Sequence, residues 1–182
     1  MNYYGAKELA DSFRTVRKNT LIIAEEIPEA KYGYRAAPET RSVTEMLVHI
    51  AVAPSIQERI HGEKRTTLEG IDFPAVIAKS MAMEKESRSK AQVIDLLRSE
   101  GDRFGKWVEG LGDDFLSQRV SMPPGMTPAS KTRFEMIMGV KEHEMHHRAK
   151  LMLIERLLGM VPHLTREMQA RMASMPQAKA TA

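Results

Sequence analysis

A histidine cluster lies in the stretch E-H-E-M-H-H-R-A-K, which spans Glu142–Lys150 and holds three of the six histidines of the chain. His143 and His147 are four residues apart, so on a helix they lie on one face, separated by about 40° around the axis. Steps of three and four residues extend this face into an apolar stripe of Met136, Val140, Leu151, Ile154 and Leu158. Burying two imidazoles without partners costs roughly a few kcal/mol, and one metal ion can serve both. The pair therefore predicts a metal site.

A further histidine, His49, lies at the centre of an apolar stripe on an earlier segment. That stripe consists of Met46, His49, Ala53, Ile56 and Ile60. A lone histidine on an apolar face is more often a core residue bonded to a carbonyl than a ligand. Together with the pair, however, His49 gives three inward-facing imidazoles from two helices, which match a three-ligand metal site with an open position.

The other histidines have weaker patterns. His146 is displaced by roughly 60–100° around the helix from His143 and His147, so we expect it to pack at the bundle edge or to bond a carboxylate. His61 and His163 have no partner in the sequence and are predicted to be surface residues.

Charged residues beside the predicted ligands allow two interpretations each. Glu45 and Glu142 could accept hydrogen bonds from the imidazoles and orient them, or they could be solvated charges on a helix face. Arg148 could bind an anion near the site or be a surface charge. No catalytic residue is assigned from the sequence.

The first two long helices can be placed from periodicity and capping. The pattern of Ala6–Ile27 predicts a helix that Pro28 ends. Ser42 followed by Glu45 forms a capping box for a second helix, which Pro54 should kink about one turn after His49.

The later elements complete a helical fold. Ser89 is predicted to cap a third long helix, and Ser130 a fourth that runs to Leu158, where Gly159 stops it. Residues 62–86 form an insertion between the second and third long helices, with a short helix over Phe73–Glu86. No segment alternates clearly enough to predict a strand. We therefore expect an all-α four-helix bundle over residues 1–162 and a C-terminal tail over residues 163–182.

Composition restricts the class of protein and of site. The 182 residues are 42% hydrophobic and 28% charged, as in a globular domain. Cysteine is absent, so a metal site must use histidine, carboxylates and water. The net charge of +3, with acidic and basic residues interspersed, indicates neither nucleic-acid nor membrane binding. With no signal-peptide pattern and no membrane-span pattern, we expect a cytoplasmic protein.

One alternative uses the same histidines differently. The letters H-E-M-H-H fit H-E-x-x-H, the zincin protease motif, with Glu144 as general base and Glu167 as a possible third ligand. This interpretation leaves His49 unexplained, and no predicted strand could hold an extended peptide.

The chain resembles the DinB/YfiT superfamily in two segments that occur in the right order. These are S-V-T-E-M-L-V-H-I and, about a hundred residues later, H-E-M-H-H-R-A-K-L-M-L; the connector Y-G-Y-R-A-A-P is also similar. The resemblance covers Ala6 to about Pro162. It implies a four-helix bundle with a divalent metal, often zinc or nickel, held by His49, His143 and His147. The frequent ending H-H-R-G-Q is changed here, where Ala149 and Lys150 follow Arg148.

The resemblance implies several functions. Some members are metal-dependent transferases or isomerases that use a low-molecular-weight thiol, and dimers are common. We therefore expect a metal-dependent transferase or hydrolase of a small molecule, acting as a homodimer. The alternative is a non-catalytic, stress-related dimer in which the ion only staples two helices together. The resemblance leaves the substrate open.

Overall fold

The computed structural model describes residues 4–175 and contains the expected helical bundle. Its elements are α1 (Ala6–Glu26), a 3₁₀ turn (Glu29–Lys31), α2 (Val43–Val52), α3 (Pro54–Gly62), α4 (Phe73–Glu84), α5 (Lys90–Glu109), α6 (Asp113–Ser117), β1 (Arg119–Ser121), β2 (Ser130–Thr132), α7 (Arg133–Leu157) and α8 (His163–Ser174). Helices α1 and α2 each pack against both α5 and α7, which makes these four the bundle. Within the described residues, no helix is both long and apolar enough to cross a membrane.

Side-chain caps fix where the bundle helices begin. Ser42 accepts a hydrogen bond from the Glu45 backbone N–H, and the Glu45 carboxylate accepts one from the Ser42 backbone N–H. This reciprocal pair is the predicted capping box, and it satisfies two backbone donors at the start of α2. The predicted kink is found as a break: Ala53 separates α2 from α3, and Pro54 is the first residue of α3.

The start of α7 and the absence of strands were predicted wrongly. Thr132, not Ser130, caps α7, because residues 130–132 pair with residues 119–121 in a short antiparallel hairpin. With three residues in each strand, and only Val120 buried among them, the hairpin has no alternation that a sequence pattern could reveal. Leu68 of the insertion donates its backbone N–H to the Ser121 carbonyl, so the insertion is anchored to this hairpin.

One buried arginine ties the four bundle helices together. Arg17 on α1 donates from Nε and Nη2 to both carboxylate oxygens of Glu144 on α7, at 2.9–3.1 Å. It also donates to the carbonyls of Leu97 on α5 and Ile50 on α2. The ion pair is almost fully buried, with 5% of the Arg17 side chain and 2% of the Glu144 side chain exposed. It therefore stabilises the bundle only while both partners are present.

The insertion contributes an unusual helix. Within residues 62–86, α4 forms as predicted but ends at Glu84. Its residues are mostly apolar, yet the only buried one is Glu84. Helix α4 packs on α2, so this single carboxylate points toward the helix that carries His49.

The segment predicted as a tail begins with a helix. Residues 163–174 form α8, which contacts α1. The end of that segment, residues 176–182, lies outside the described residues, and the domain boundary at residue 162 stays a prediction.

Candidate metal centre

The three histidines singled out from the sequence meet in the bundle. His49 on α2 and His143 on α7 bring their Nε2 atoms to 3.1 Å from each other. The Nε2 atom of His147 is also 3.1 Å from that of His143. One ligand atom from each ring lies within 4.8 Å of the others, and no other group of three such residues was found among residues 4–175.

The environment keeps these imidazoles uncharged. Burial, followed by the charges of neighbouring histidines, lowers the pKa of His143 to about 4 and that of His147 to about 3. Burial and then the Arg41 guanidinium also lower the pKa of His49, against the opposing effect of Glu84. Because only the neutral ring offers a lone pair, all three are ready to bind a cation near neutral pH.

A carboxylate from the insertion orients His49. Glu84 Oε1 lies 2.8 Å from Nδ1 of His49, and the Glu84 side chain is 7% exposed. Arg41 donates from Nε and Nη2 to the same carboxylate, at 2.6 and 3.2 Å. With the proton of His49 on Nδ1, its Nε2 carries the lone pair that faces the other two rings.

The donor set fits a divalent ion. Nitrogens bound at about 2.0–2.1 Å to one ion at tetrahedral angles are about 3.3 Å apart, which is close to the 3.1 Å separations of the Nε2 atoms. Without an ion, the Nε2 atom of His143 faces two other ring nitrogens and can donate at most one proton. Nδ1 of His147 is buried and has no partner in the described structure. At least one of the two 3.1 Å contacts therefore has no proton for a regular hydrogen bond, and an ion bound by the three Nε2 atoms would replace both contacts.

Two open cavities reach the histidines. A cavity of about 410 Å³ touches His143. Its apolar wall comprises Ala53, Ile56, Leu68, Met122, Met136 and Val140. A smaller cavity of about 110 Å³ touches both His49 and His143 and is bounded by α4. The larger cavity is within the size range of small-molecule sites.

The zincin interpretation does not survive the placement of Glu144. Glu144 is 1% exposed and binds Arg17 through both oxygens, so it is turned away from the histidine cluster and cannot act as a general base there. Glu167 lies on α8, exposed, and outside the histidine group. The letters H-E-M-H-H therefore place two histidines on one face without the rest of a protease site.

The other charged candidates do not orient the imidazoles. Glu45 caps α2 and pairs with Arg35 at 2.6 Å, and Glu142 is exposed at the edge of the 410 Å³ cavity. Arg148 lines neither cavity; its Nε and Nη1 atoms are buried without a hydrogen-bond partner in the described structure. His146 is exposed and touches His147 edge-on, with ring centroids 5.0 Å apart. The orienting residue, Glu84, was missed because nothing local connects it with His49.

Two further histidines are buried, which corrects their prediction as surface residues. His61 is 1% exposed, and Arg133 Nη1 lies 2.9 Å from its Nδ1. His163 is 4% exposed, with Nε2 at 3.4 Å from the Asn19 side-chain oxygen. Both lie at helix ends, where a sequence pattern gives no face, and tertiary contacts bury them: Arg133, Trp107 and Phe115 lie beside His61, and Asn19 of α1 lies beside His163.

Comparison with known proteins agrees with this fold. A protein-family model described as the DinB superfamily matches residues 12–151. A DinB-like protein from Bacillus subtilis, YjoA, is 20% identical, with a TM-score of 0.61 over 84% of this chain and 92% of its own. YfiT from Bacillus subtilis is described as a probable metal-dependent hydrolase with an unusual four-helix bundle topology. It is 14% identical, with a TM-score of 0.66 over 88% of this chain and 91% of its own.

A third structure, an uncharacterized protein from Clostridium difficile 630, is 13% identical, with a TM-score of 0.64 over 86% of this chain and 98% of its own. No curated protein matches the chain significantly.

Proposed function

The chain belongs to the DinB superfamily, and on that premise we propose that it is a metal-dependent enzyme acting on a small molecule. His49, His143 and His147 would hold a divalent ion, with zinc and nickel the first candidates. The observation that carries the proposal is the convergence of three uncharged imidazoles beside an open cavity of about 410 Å³. Three protein ligands with an accessible fourth position are typical of catalytic rather than structural sites.

The residues around such a site would have two roles, the orientation of a ligand and the exclusion of water. Arg41 holds Glu84, and Glu84 holds the Nδ1–H of His49, so the ring presents Nε2 to the ion. The apolar wall beside His143 excludes water from the bound part of a substrate. A divalent ion supplies Lewis acidity toward a water or thiol that it binds.

Hydrolysis is the reaction we favour. YfiT, which shares the fold, is described as a probable metal-dependent hydrolase, and hydrolysis requires no group that this chain lacks. A thiol-dependent transferase is the second candidate; since the chain has no cysteine, a low-molecular-weight thiol would have to enter as a co-substrate. The open cavity at His143 favours a catalytic ion over the alternative of a purely structural ion that only links two helices.

Elemental analysis of purified protein tests the metal site. We expect about one divalent ion per chain in the wild type and a large loss in His49→Ala, because two imidazoles alone bind more weakly. His146→Ala is the matched control, since this ring is exposed on the same helix turn but outside the group. Equal metal content in the wild type and in His49→Ala would remove His49 from the site.

Activity and assembly need separate measurements. Hydrolysis of small esters and amides by the zinc- or nickel-loaded wild type should disappear on chelation and return when the ion is restored. If a thiol is required, turnover should appear only after a low-molecular-weight thiol is added. The homodimer implied by the family resemblance is tested by sedimentation equilibrium.

A further inference from the structure

Lys150 is a cation without a partner beside the candidate metal centre. It follows His147 by three residues and His143 by seven on α7, so it lies on the same side of the helix as both rings. No carboxylate among residues 4–175 forms an ion pair with it. Its positive charge contributes to lowering the pKa of His49, His143 and His147 alike, which reflects its nearness to all three.

Lys150 lines a basic cavity of about 740 Å³. The other charged residues of its lining are Arg35, Glu39, Arg41, Glu45, Glu84 and Lys85. Both arginines are neutralised, because Arg35 pairs with Glu45 and Arg41 with Glu84. Lys85, Lys150 and the carboxylate of Glu39 form no ion pair within the described structure, so four cations and three carboxylates leave the lining with a net charge of +1, next to a site proposed for a cation.

Lys85 and Lys150 are exposed, so water screens their charges, and the favourable contribution comes from an anion that lies near Lys150 and the proposed ion together. A lysine ammonium and a divalent ion repel each other, and both attract an anion placed between them. Attraction to both cations makes the free energy of anion binding more favourable. Sites that recognise carboxylates and phosphates commonly use several positive charges in this way.

The cavities adjoin one another past the histidines. The basic cavity shares Arg41, Met81 and Glu84 with the 110 Å³ cavity that touches His49 and His143. That cavity in turn shares Ala53, Ile56 and His143 with the apolar 410 Å³ cavity. The small cavity at the histidines therefore neighbours both the apolar cavity and the basic cavity, and a ligand that spans all three would have its apolar part in the first and its charged part in the second.

We propose that the substrate is an amphipathic anion whose carboxylate or phosphate group binds Lys150, while its apolar part occupies the cavity beside His143. This inference rests on the proposed function, since it places the reacting bond between the two parts, at the histidines. It makes Lys150 a specificity-determining residue.

Calorimetric titration with three matched probes tests the inference. The probes are octanoate, octyl phosphate and the neutral 1-octanol, each added to zinc-loaded and to metal-free protein. We expect the wild type to bind at least one of the two anions more tightly than 1-octanol, and Lys150→Met to lose about tenfold in anion affinity only. The stronger of the two anions identifies the headgroup.

Two control variants distinguish the effect of the Lys150 charge on anion affinity from the effect of a general change in net charge. Lys150→Arg should retain most of the anion affinity, because it keeps a cation within reach. Lys18→Met removes the same charge from an exposed position on α1 that lines none of the three cavities, and it should bind all probes like the wild type. Anion affinity that falls equally in Lys18→Met and Lys150→Met would overturn the inference.

Failure of this inference and failure of the proposed function give different results. If the protein binds zinc but Lys150→Met binds octanoate and octyl phosphate as the wild type does, the anion site is wrong and the metal centre stands. If the wild type binds no zinc yet loses anion affinity on Lys150→Met, the metal centre is wrong and the anion site stands.

Discussion

Glu84 Oε1 lies 2.8 Å from Nδ1 of His49, although the two residues are 35 positions apart and belong to different structural units. His49 is on a bundle helix, whereas Glu84 ends the insertion helix α4 and is its only buried residue. The insertion is therefore part of the candidate metal centre and not only a peripheral addition to the bundle. It supplies the carboxylate that fixes the orientation of one proposed ligand, and Arg41 fixes the carboxylate.

Glu84→Gln should weaken zinc binding by about tenfold, because a neutral amide holds the His49 N–H less strongly and reduces the basicity of the ring. Competition with a chromophoric chelator measures the affinity. Glu86→Gln, an exposed change two residues along the chain, is the control and should bind zinc like the wild type. Equal affinities in the Glu84 and Glu86 variants would show that the hydrogen bond has no influence on the site.

The buried His61 should make stability depend on pH. Burial and the Arg133 charge lower its pKa to about 4 in the folded protein, against about 6.5 in the unfolded chain. Below pH 6.5 the unfolded state binds the proton more readily, so the folded state loses stability as the pH falls, until both states are protonated below about pH 4.

Between pH 7 and pH 5 this histidine alone should cost about 2 kcal/mol of unfolding free energy. Urea denaturation of metal-free wild type and of His61→Gln at both pH values isolates the contribution, because the other buried histidines are common to both proteins. A pH dependence that is the same in the two proteins would refute the assignment.

Glu144 should act in folding and not in catalysis. Glu144→Gln leaves the buried Arg17 guanidinium without a countercharge, and we expect a loss of about 3 kcal/mol in unfolding free energy. Zinc content of the folded fraction should be unchanged, since Glu144 faces away from the histidines. The neighbouring Glu142→Gln is exposed and should change stability little. Loss of zinc from folded Glu144→Gln would instead support a role in the site.

Two glycines should respond to alanine in opposite directions. A Cβ at Gly101 would lie 2.8 Å from Cγ of Arg17, whose guanidinium is held by Glu144 and cannot move aside. Gly101→Ala should therefore destabilise the protein, although alanine favours the helix. At Gly139 a Cβ meets nothing within 4 Å, so Gly139→Ala should stabilise α7 by up to about 1 kcal/mol. Thermal unfolding of the two variants checks both signs, and stabilisation by Gly101→Ala would contradict the proposed contact.

The sequence by itself predicted the four long bundle helices, because periodicity and capping are local, but it did not predict the short helix α6 or the helix α8. The stripe through His143 and His147 and the box of Ser42 with Glu45 can be read from residues three and four apart, and both are present in the structure. The same local rules predict which face of each bundle helix is buried, but they fail for α4, whose apolar residues are not buried and whose one buried residue is Glu84. They also place His49 on an inward face, which is why three ligands could be nominated together.

Only the tertiary structure decided which groups meet across the bundle. Three polar pairs join distant segments, and no spacing in the chain encodes them. They are Glu84 with His49, Arg17 with Glu144, and Arg133 with His61. The hairpin was missed for a related reason. A strand of three residues is too short to show an alternating pattern, and it forms because it hydrogen-bonds to its partner strand. Local sequence fixes the direction in which a side chain points, whereas its partner depends on how the helices pack.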